Sequence, residues 1–279
     1  MKKMALLVGM MILGNAGLAS TVGFAPSSST GIALGSWIRN VVLTPATPAD
    51  YGSQGYHGKF RADVFYNMWE MEQEGFIGGA RTVDGNVMGI NPLIAYGDGL
   101  ETVLMVPLHT SGEGSEIDAY HFGADLTLLG NLGNVLKIGG HGNYIRTEFT
   151  SDSEEEGSGL INAGPFLSLH QSLGSASLSL GAVLNYIVPE DSEESDNITV
   201  ATGAAQIGVP LGSSLAANLY GMYHYNLDTD LEDWNHFDVS ADLVVALGET
   251  WLMSIGARTI IGIDALDSTE VFLGSEWGF

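Results

Sequence analysis

The chain has 279 residues, of which 45% are apolar, and this is enough for one sizeable folded domain. Thirty-three acidic residues against nine basic ones give a net charge of −24. This charge excludes a nucleic-acid-binding protein, because phosphate binding needs clustered Lys and Arg. The absence of cysteine excludes disulfides and thiolate zinc sites. Since the mean hydropathy is still positive, at +0.18, the apolar and acidic residues must be separated in space.

Residues 1–20 have the organisation of a secretory signal peptide. Lys2 and Lys3 form a basic n-region, residues 4–13 form an apolar h-region, and residues 18–20 offer small side chains near a cleavage point. The apolar run is shorter than the roughly 20 residues that a membrane-spanning helix requires. We therefore expect a cleaved signal peptide, with a retained anchor as the alternative.

Residues 21–57 contain a second apolar stretch, which is followed by Pro45, Pro48 and Gly52. This segment could fold into the interior of the domain that follows, as a plug, or lie outside it in the periplasm. The plug is favoured because a group of large apolar side chains would otherwise be exposed. These are Trp37, Ile38, Val41, Val42 and Leu43.

From residue 58 onward, apolar and polar residues alternate in units of about ten to fourteen, separated by Gly-rich or acidic breaks. In residues 235–247, for example, Phe237 and Leu243 alternate with His236 and Asp238. A period of two predicts a β-strand with two different faces. The predicted strands are 58–68, 87–96, 100–109, 117–129, 135–149, 159–172, 176–188, 197–210, 215–228, 235–247, 251–263 and 269–279.

The breaks between these strands alternate between tight Gly-containing turns and longer, mostly acidic loops. Aromatic residues also concentrate near both ends of the apolar face, around an aliphatic centre. Both features are typical of a transmembrane antiparallel up-and-down β-barrel, here with about 12 strands at residues 58–279. A soluble β-sandwich, the alternative, explains neither feature. The aromatic residues near the short turns are Phe60, Tyr96, Trp251, Trp277 and Phe279, and those near the loops are Tyr66, Tyr120, Phe122, Tyr144, Tyr186, Tyr223, Tyr225 and Phe237.

The C-terminus resembles the recognition strand of bacterial outer-membrane β-barrel proteins of the porin-like type. Gly274, Trp277 and the terminal Phe279 match that pattern, whereas Phe272 stands where the pattern usually has a polar residue. The resemblance covers residues 58–279 as architecture and names no narrower family. It implies location in the cell outer membrane, contact with outer-membrane lipid, and insertion by the barrel-assembly machinery.

The polar face of each strand is predicted to line the barrel lumen. Expected ion pairs join Asp125 to Lys137, Arg258 to Asp242, and Arg61 to Glu276. These charges are interpreted as structural pairs or as selectivity determinants. The predicted lumen-lining residues are Arg61, Asp63, Glu101, His121, Asp125, Lys137, His141, His224, Asp238, Asp242, Arg258 and Glu276.

Six histidines fall on the predicted inward face: His109, His121, His141, His170, His224 and His236. They could titrate near neutral pH, bind a metal, or simply fill the lumen with polar groups. Polar filling is the preferred interpretation, because their expected heights differ and only His224 has an obvious neighbour, Asp238. No metal site or cofactor is therefore assigned.

Dense acidic residues in the loops predict an anionic extracellular mouth, which would concentrate cations; a solvated repulsive surface is the alternative. We expect a passive, cation-preferring channel for small solutes, because catalytic motifs are absent and no enzyme is indicated. A structural or adhesive barrel and a plugged barrel that transports an apolar ligand remain alternatives. The mouth residues are Asp152, Glu154, Glu155, Glu156, Glu190, Asp191, Glu193, Glu194, Asp230, Glu232 and Asp233.

Overall fold

The computed structural model describes residues 29–52, 56–74, 80–97, 100–113, 117–133, 135–150, 155–190, 197–227, 235–263 and 266–279. Within them, helix α1 (Ser29–Trp37) continues into a π-helical turn at Ile38–Val42. In these ranges, no helix has the length and apolar character needed to cross a bilayer. The strands are β1 (Gly58–Glu74), β2 (Ala80–Tyr96), β3 (Thr102–Met105), β4 (Leu108–Glu113), β5 (Ile117–Leu132), β6 (Leu136–Thr150), β7 (Glu155–Leu173), β8 (Ala176–Pro189), β9 (Ile198–Pro210), β10 (Leu215–Asn226), β11 (His236–Ala246), β12 (Trp251–Ile261) and β13 (Leu266–Gly278).

The strands form one closed antiparallel cylinder. Apart from β3 and β4, which both lie between β2 and β5, each strand pairs with its neighbours in sequence; β1 pairs with both β2 and β13, so that the sheet has no free edge. Because β3 and β4 together make one crossing between β2 and β5, the described segments build a barrel of twelve strands. The predicted all-β, up-and-down architecture is confirmed.

The third crossing, predicted as one strand, is divided at Val106 and Pro107. Proline has no backbone N–H and cannot donate to a sheet ladder. The interruption is local, since the Val106 amide donates to the Pro92 carbonyl at 2.8 Å and the Gly123 amide donates to the Pro107 carbonyl at 3.0 Å. The barrel wall therefore remains continuous across the break.

The β1–β2 hairpin is longer than the sequence pattern predicts. Backbone pairing continues from Met68 to Glu74, which lies opposite Ala80. The prediction ended at residue 68 because the apolar alternation weakens there. Strand pairing needs only backbone groups and persists where side chains no longer alternate. The hairpin thus extends beyond the apolar part of the wall.

The two ends of the barrel differ. One end, called here the short-turn end, carries the turns that join β5 to β6, β7 to β8, β9 to β10 and β11 to β12. Strand β1 begins and β13 ends at this same end. The opposite end is called the loop end. The β5–β6 turn is closed by Leu132 opposite Leu136, and this register places Asp125 opposite Asn143. The predicted Asp125–Lys137 pair is therefore wrong, because the chain reverses three residues later than the Gly-rich stretch suggested.

The outer surface of the barrel is an apolar belt. Aliphatic side chains such as Leu243, Ile255 and Leu273 lie side by side in register and are about half exposed. The aromatic residues predicted at the two rims are exposed, except Tyr144, which is half-buried and donates to Glu190 at the loop end. A large exposed apolar surface that surrounds a closed barrel is suited to contact with lipid.

A charge in the centre of this belt should destabilise the protein in a bilayer. We expect Leu243→Arg to lower the free energy of unfolding from lipid vesicles by about 2–4 kcal/mol. Leu247→Arg is a matched control, since Leu247 follows β11 on the same face at the short-turn end, where about 0–1 kcal/mol is expected. Equal losses for the two variants would contradict the placement of this belt in the hydrocarbon layer.

Candidate functional site in the barrel lumen

The lumen is occupied by residues 29–52, called here the luminal segment. Ile32 packs in an apolar cluster with Trp69 and Leu266, towards the loop end. At the other end, the Asp50 amide donates to the Ser213 carbonyl in the β9–β10 turn at 2.8 Å. The luminal segment therefore runs through the barrel interior from near one end to the other.

One side of the luminal segment packs against an apolar sector of the inner wall. Leu34, Trp37, Ile38 and Val42 are at most 2% exposed although they lie inside a barrel whose interior is largely polar. Burial of each such side chain contributes roughly 1.5–3 kcal/mol, so this contact is the main force that holds the segment in place. The wall residues of this cluster include Leu93, Val103, Met105, Ile145, Phe166, Val183, Ile187, Val200, Tyr220 and Met222.

Trp37 is the best-anchored side chain of the luminal segment. Its indole stacks on the His141 ring with 4.0 Å between centroids and meets Phe166 edge-on at 5.4 Å. Its Nε1–H donates to Thr127 Oγ1 at 2.7 Å. Asp125 orders both polar partners, since it accepts from the Thr127 hydroxyl at 2.9 Å and lies 2.7 Å from His141 Nδ1. Trp37 is thus enclosed by a prearranged pocket.

The opposite side of the luminal segment faces charged groups on β11, β12 and β13. Arg39 lies 3.3 Å from Glu270, and its guanidinium sits 4.3 Å above the Phe272 ring. Glu270 also pairs with Arg258 at 3.1 Å, and Arg258 pairs with Asp238 at 2.6 Å. Because all these charged groups are buried, each depends on its neighbour for compensation. A continuous chain of ion pairs therefore joins the luminal segment to the wall.

A second group of polar contacts lies on β1. Asp63 accepts hydrogen bonds from Asn40 at 2.7 Å and from Ser36 at 3.3 Å. Arg61 pairs with Asp63 at 2.8 Å and lies 3.7 Å from Glu276 on β13. The predicted approach of Arg61 to Glu276 is thus observed. These contacts fix the luminal segment at the seam where β1 and β13 close the barrel.

Hydrogen bonds to the wall also hold the short-turn end of the luminal segment. Lys137 donates to the main-chain carbonyls of Val41 and Leu43 at 3.1 and 3.2 Å, where a cation complements the carboxyl end of the helical turn. The Ala46 amide donates to Asn218 Oδ1 at 2.8 Å. The Tyr51 hydroxyl donates to Glu276 at 2.8 Å. Burial and the adjacent Glu276 carboxylate raise the pKa of Tyr51 well above its usual value, so this hydroxyl remains a donor.

Most of the predicted lumen-lining residues are buried inside the barrel. His121 and Lys137 are half-buried, and His121 bonds to Ser111 and Thr147 at 3.1 and 2.8 Å. Glu101 differs, since it lies exposed just before β3, at the β2–β3 turn. The buried ones are Arg61, Asp63, Asp125, His141, His224, Asp238, Asp242, Arg258 and Glu276.

The ion partner of Arg258 differs from the predicted one. Arg258 lies opposite Ser240, and its guanidinium reaches Asp238 and Glu270 rather than the predicted Asp242. A long side chain can reach a diagonal neighbour across a strand pair. Asp242 instead accepts from Asn218 at 2.9 Å and from the Tyr220 hydroxyl at 3.0 Å.

Sequence reasoning missed Ser36, Arg39, Asn40 and Glu270 as site residues. No strand periodicity could assign Arg39, because it precedes the barrel, and its partner Glu270 lies 231 residues away. One signal was present at Phe272, which departs from the usual polar residue of the recognition strand. Phe272 points inward, 2% exposed, and supports the Arg39 guanidinium. The aromatic residue that replaces the usual polar one therefore contacts the luminal segment.

A cavity of about 400 Å³ remains at the short-turn end, beside the luminal segment. It is lined by Thr44 of the segment and by wall residues that include Asn131, Lys137, Ser168 and His170. Its lining mixes polar and apolar side chains, and it lies beside the part of the lumen that the luminal segment fills.

Most of the predicted mouth residues lie outside the described residues. These are Asp152, Glu154, Asp191, Glu193, Glu194, Asp230, Glu232 and Asp233; Glu155 and Glu156 are described only as backbone of β7. Glu190 lies at the loop end, where it accepts from the Tyr144 hydroxyl at 3.0 Å and lies 3.6 Å from Arg146. The charge ring itself therefore remains a prediction.

Among the residues of the predicted insertion signal, Phe279 closes the seam with β1. The His57 and Gly58 amides both donate to its carbonyl at 3.0 Å, and its own amide donates back to Gly58 at 2.9 Å. Trp277 is stacked with Trp251 on the outer surface, with 5.3 Å between ring centroids. Gly274 leaves room inside the barrel for the Arg61 and Asp63 side chains. A Cβ atom at position 274 would lie only 2.6 Å from atoms of both side chains.

The fold is similar to that of the translocator domain of the autotransporter NalP from Neisseria meningitidis, with a TM-score of 0.60 and 13% identity over 90% of this chain and 96% of that chain. The transport unit of the autotransporter AIDA-I from Escherichia coli gives a TM-score of 0.48 at 11% identity, covering 91% of this chain and 98% of that one. The KdgM porin in complex with oligogalacturonate gives 0.41 at 12% identity, covering 78% and 99%. No protein-family model matches the chain, and no curated protein is similar to it. The predicted resemblance to bacterial outer-membrane β-barrel proteins is therefore confirmed as a likeness of fold.

Proposed function

We propose that the protein is a bacterial outer-membrane channel for small solutes, that it prefers cations to anions, and that its own luminal segment closes it at rest. The apolar outer belt with its aromatic rims supports a place in a bilayer. The C-terminal recognition strand supports delivery to the outer membrane by the barrel-assembly machinery. The central observation is that the luminal segment fills the barrel through non-covalent contacts alone.

Cation preference follows from what the luminal segment covers. Its polar side chains lie on two wall carboxylates, Asp63 and Glu270. Displacement of the segment would also remove Arg39 from the lumen and leave these carboxylates facing water. An opened lumen would then carry an excess of negative charge among the described wall residues, which attracts cations and repels anions.

A closed resting state follows from the packing. An eight-stranded barrel is filled by its own side chains, while barrels of sixteen or more strands leave an aqueous channel. A twelve-stranded barrel has room for one additional helix-sized element, and the luminal segment occupies that room. Conductance therefore requires movement of the segment, for which the cavity at the short-turn end provides adjoining space.

The decisive measurement is single-channel recording of the full chain in planar bilayers under a KCl gradient. We expect rare openings with a cation-selective reversal potential. Arg39→Ala should raise the open probability by at least about tenfold, because a hydrogen bond to a charged group contributes roughly 1.5–3 kcal/mol. The matched control is Arg146→Ala, which removes an arginine that pairs with Glu148 and Glu190 at the loop end, away from the luminal segment.

Two results would contradict this proposal. Absence of current in both the native chain and the Arg39→Ala variant would favour a structural barrel without transport. Anion-selective openings would contradict the predicted preference while leaving the channel intact.

The apolar sector of the inner wall supports a second candidate function. If the luminal segment moved aside, Met105, Phe166 and Ile187 would form an apolar surface inside the barrel. Such a surface suits an apolar ligand better than a hydrated ion. Saturable binding of an apolar fluorescent probe by Arg39→Ala, with none by the native chain, would favour transport of an apolar ligand.

A further inference from the structure

Two histidines and an aspartate meet inside the loop end of the wall, between β10 and β11. His224 and His236 lie directly opposite each other in the strand register, and Asp238 follows two residues later on the same face of β11. All three side chains are buried, at 2–3% exposure. One donor atom from each side chain can be chosen so that all three lie within 4.8 Å of one another.

The positions of the donor atoms in this cluster point to a metal ligand set. His224 Nε2 lies 3.4 Å from Asp238 Oδ2, and His236 Nε2 lies 3.8 Å from Asp238 Oδ1. Donor atoms bound to one tetrahedral ion at roughly 2.0–2.1 Å are about 3.3 Å apart, so only a small convergence is needed. Within the described residues, neither His224 Nε2 nor Asp238 Oδ1 makes a hydrogen bond, and such buried polar atoms are costly to leave unsatisfied.

Neighbouring groups orient these donors as outer-shell partners orient metal ligands. Thr202 Oγ1 lies 3.0 Å from His224 Nδ1. In the tautomer in which Nδ1–H donates to this hydroxyl, the Nε2 lone pair is left for a metal. Arg258 donates to Asp238 Oδ2 from Nε at 3.0 Å and from NH2 at 2.6 Å. This contact fixes the carboxylate, with Oδ1 on the side of His236.

We propose that His224, His236 and Asp238 form a binding site for one divalent transition-metal ion. Two imidazole nitrogens and one carboxylate oxygen suit a borderline ion such as Zn²⁺ or Co²⁺ rather than Ca²⁺ or Mg²⁺, which take mostly oxygen ligands. The imidazole rings now stack with 4.6 Å between centroids. Binding requires them to rotate so that their lone pairs converge on the ion. Three protein ligands leave a fourth position for water.

This site was not assigned from the sequence, because the expected heights of the histidines differed. The direct pairing of His224 with His236 depends on the register of β10 against β11, which the sequence alone does not give. The site does not rest on the channel proposal, since metal binding can be measured without any current.

The test is calorimetric titration of Zn²⁺ into the full chain, purified without a polyhistidine tag, stripped with a chelator and kept in excess Ca²⁺ to occupy exposed carboxylates. We expect one Zn²⁺ per chain. His224→Ala and His236→Ala should each weaken binding by more than about 100-fold, while Thr202→Val, which removes an outer-shell partner, should weaken it by about 10- to 100-fold. His170→Ala, a histidine near the short-turn end, should leave binding unchanged.

Cobalt provides a second readout that does not depend on affinity. Co²⁺ at this site should give the visible absorption of a tetrahedral or five-coordinate ion, and the His224→Ala variant should lack it. Absence of stoichiometric Zn²⁺ binding would overturn the proposal. Stoichiometric binding that survives in the His224→Ala, His236→Ala double variant would overturn it equally, because the ion would then lie elsewhere.

Discussion

Joining the luminal segment to the wall by a disulfide should abolish the conductance of the protein, and reduction should restore it. The pair Val42→Cys and Gly181→Cys suits this test, because a Cβ atom added to Gly181 would lie 2.9 Å from Val42 Cγ1. In a disulfide, the Cβ atom of one cysteine lies about 3.0 Å from the sulfur of the other, given an S–S bond of roughly 2.05 Å. The native chain has no cysteine that could interfere.

Single-channel recording before and after addition of a reductant measures this effect. The oxidised double variant should stay closed, whereas the reduced form should open like the native chain. The conductance of the single variants Val42→Cys and Gly181→Cys should be the same under oxidising and reducing conditions. Unchanged conductance of the fully oxidised form would mean that ions pass beside a stationary luminal segment, and gating by its movement would be wrong.

Replacement of Trp37 should have the largest effect of any single substitution on closure. Trp37→Ala removes the stack on His141, the edge contact with Phe166 and the hydrogen bond to Thr127. Truncation of a buried tryptophan costs about 3–5 kcal/mol. Because these contacts join the luminal segment to the wall, much of this loss should appear as a higher open probability, by at least about 100-fold, while the β-sheet circular dichroism is retained.

Two further variants separate the contributions to this effect. Trp37→Phe keeps an aromatic ring but removes the Nε1–H donor, so its open probability should lie between those of the native chain and Trp37→Ala. Trp251→Ala removes a tryptophan of the outer surface, which is stacked on Trp277, and should leave closure unchanged. Equal open probabilities for Trp37→Ala and Trp251→Ala would show that Trp37 does not hold the segment.

The barrel could be predicted from the sequence because its physical cause is local. Each strand has one face towards the lipid and one towards the lumen, so apolar and polar residues alternate along it. Phe237 on the outer face and Asp238 on the inner face are an example. Strand ends were less accurate, since pairing needs only backbone groups and continues to Glu74 after the alternation fades. The third crossing was predicted as one continuous strand, but it is divided at Pro107. Whether a proline interrupts a strand depends on whether the paired strand needs the amide hydrogen that proline lacks.

The contents of the lumen could be predicted only in part. The apolar stretch around Trp37 indicated that it needs burial, but not that it would form a helix or which wall it would meet. Partners inside a barrel depend on register, and a turn displaced by three residues gives Asp125 to His141 instead of Lys137. The Arg39–Glu270 contact joins distant parts of the chain, and no periodic pattern carries that information.

The polar anchors of the luminal segment lie mainly on the two strands that complete the cylinder. Asp63 belongs to β1 and Glu270 to β13, and these strands come together only when the last strand meets the first. If the barrel closed first, the luminal segment would have to enter a complete cylinder through one of its narrow ends. Assembly is therefore simplest if the first and last strands zip together around the N-terminal residues, so that occupancy of the interior and completion of the sheet are a single cooperative event during biogenesis.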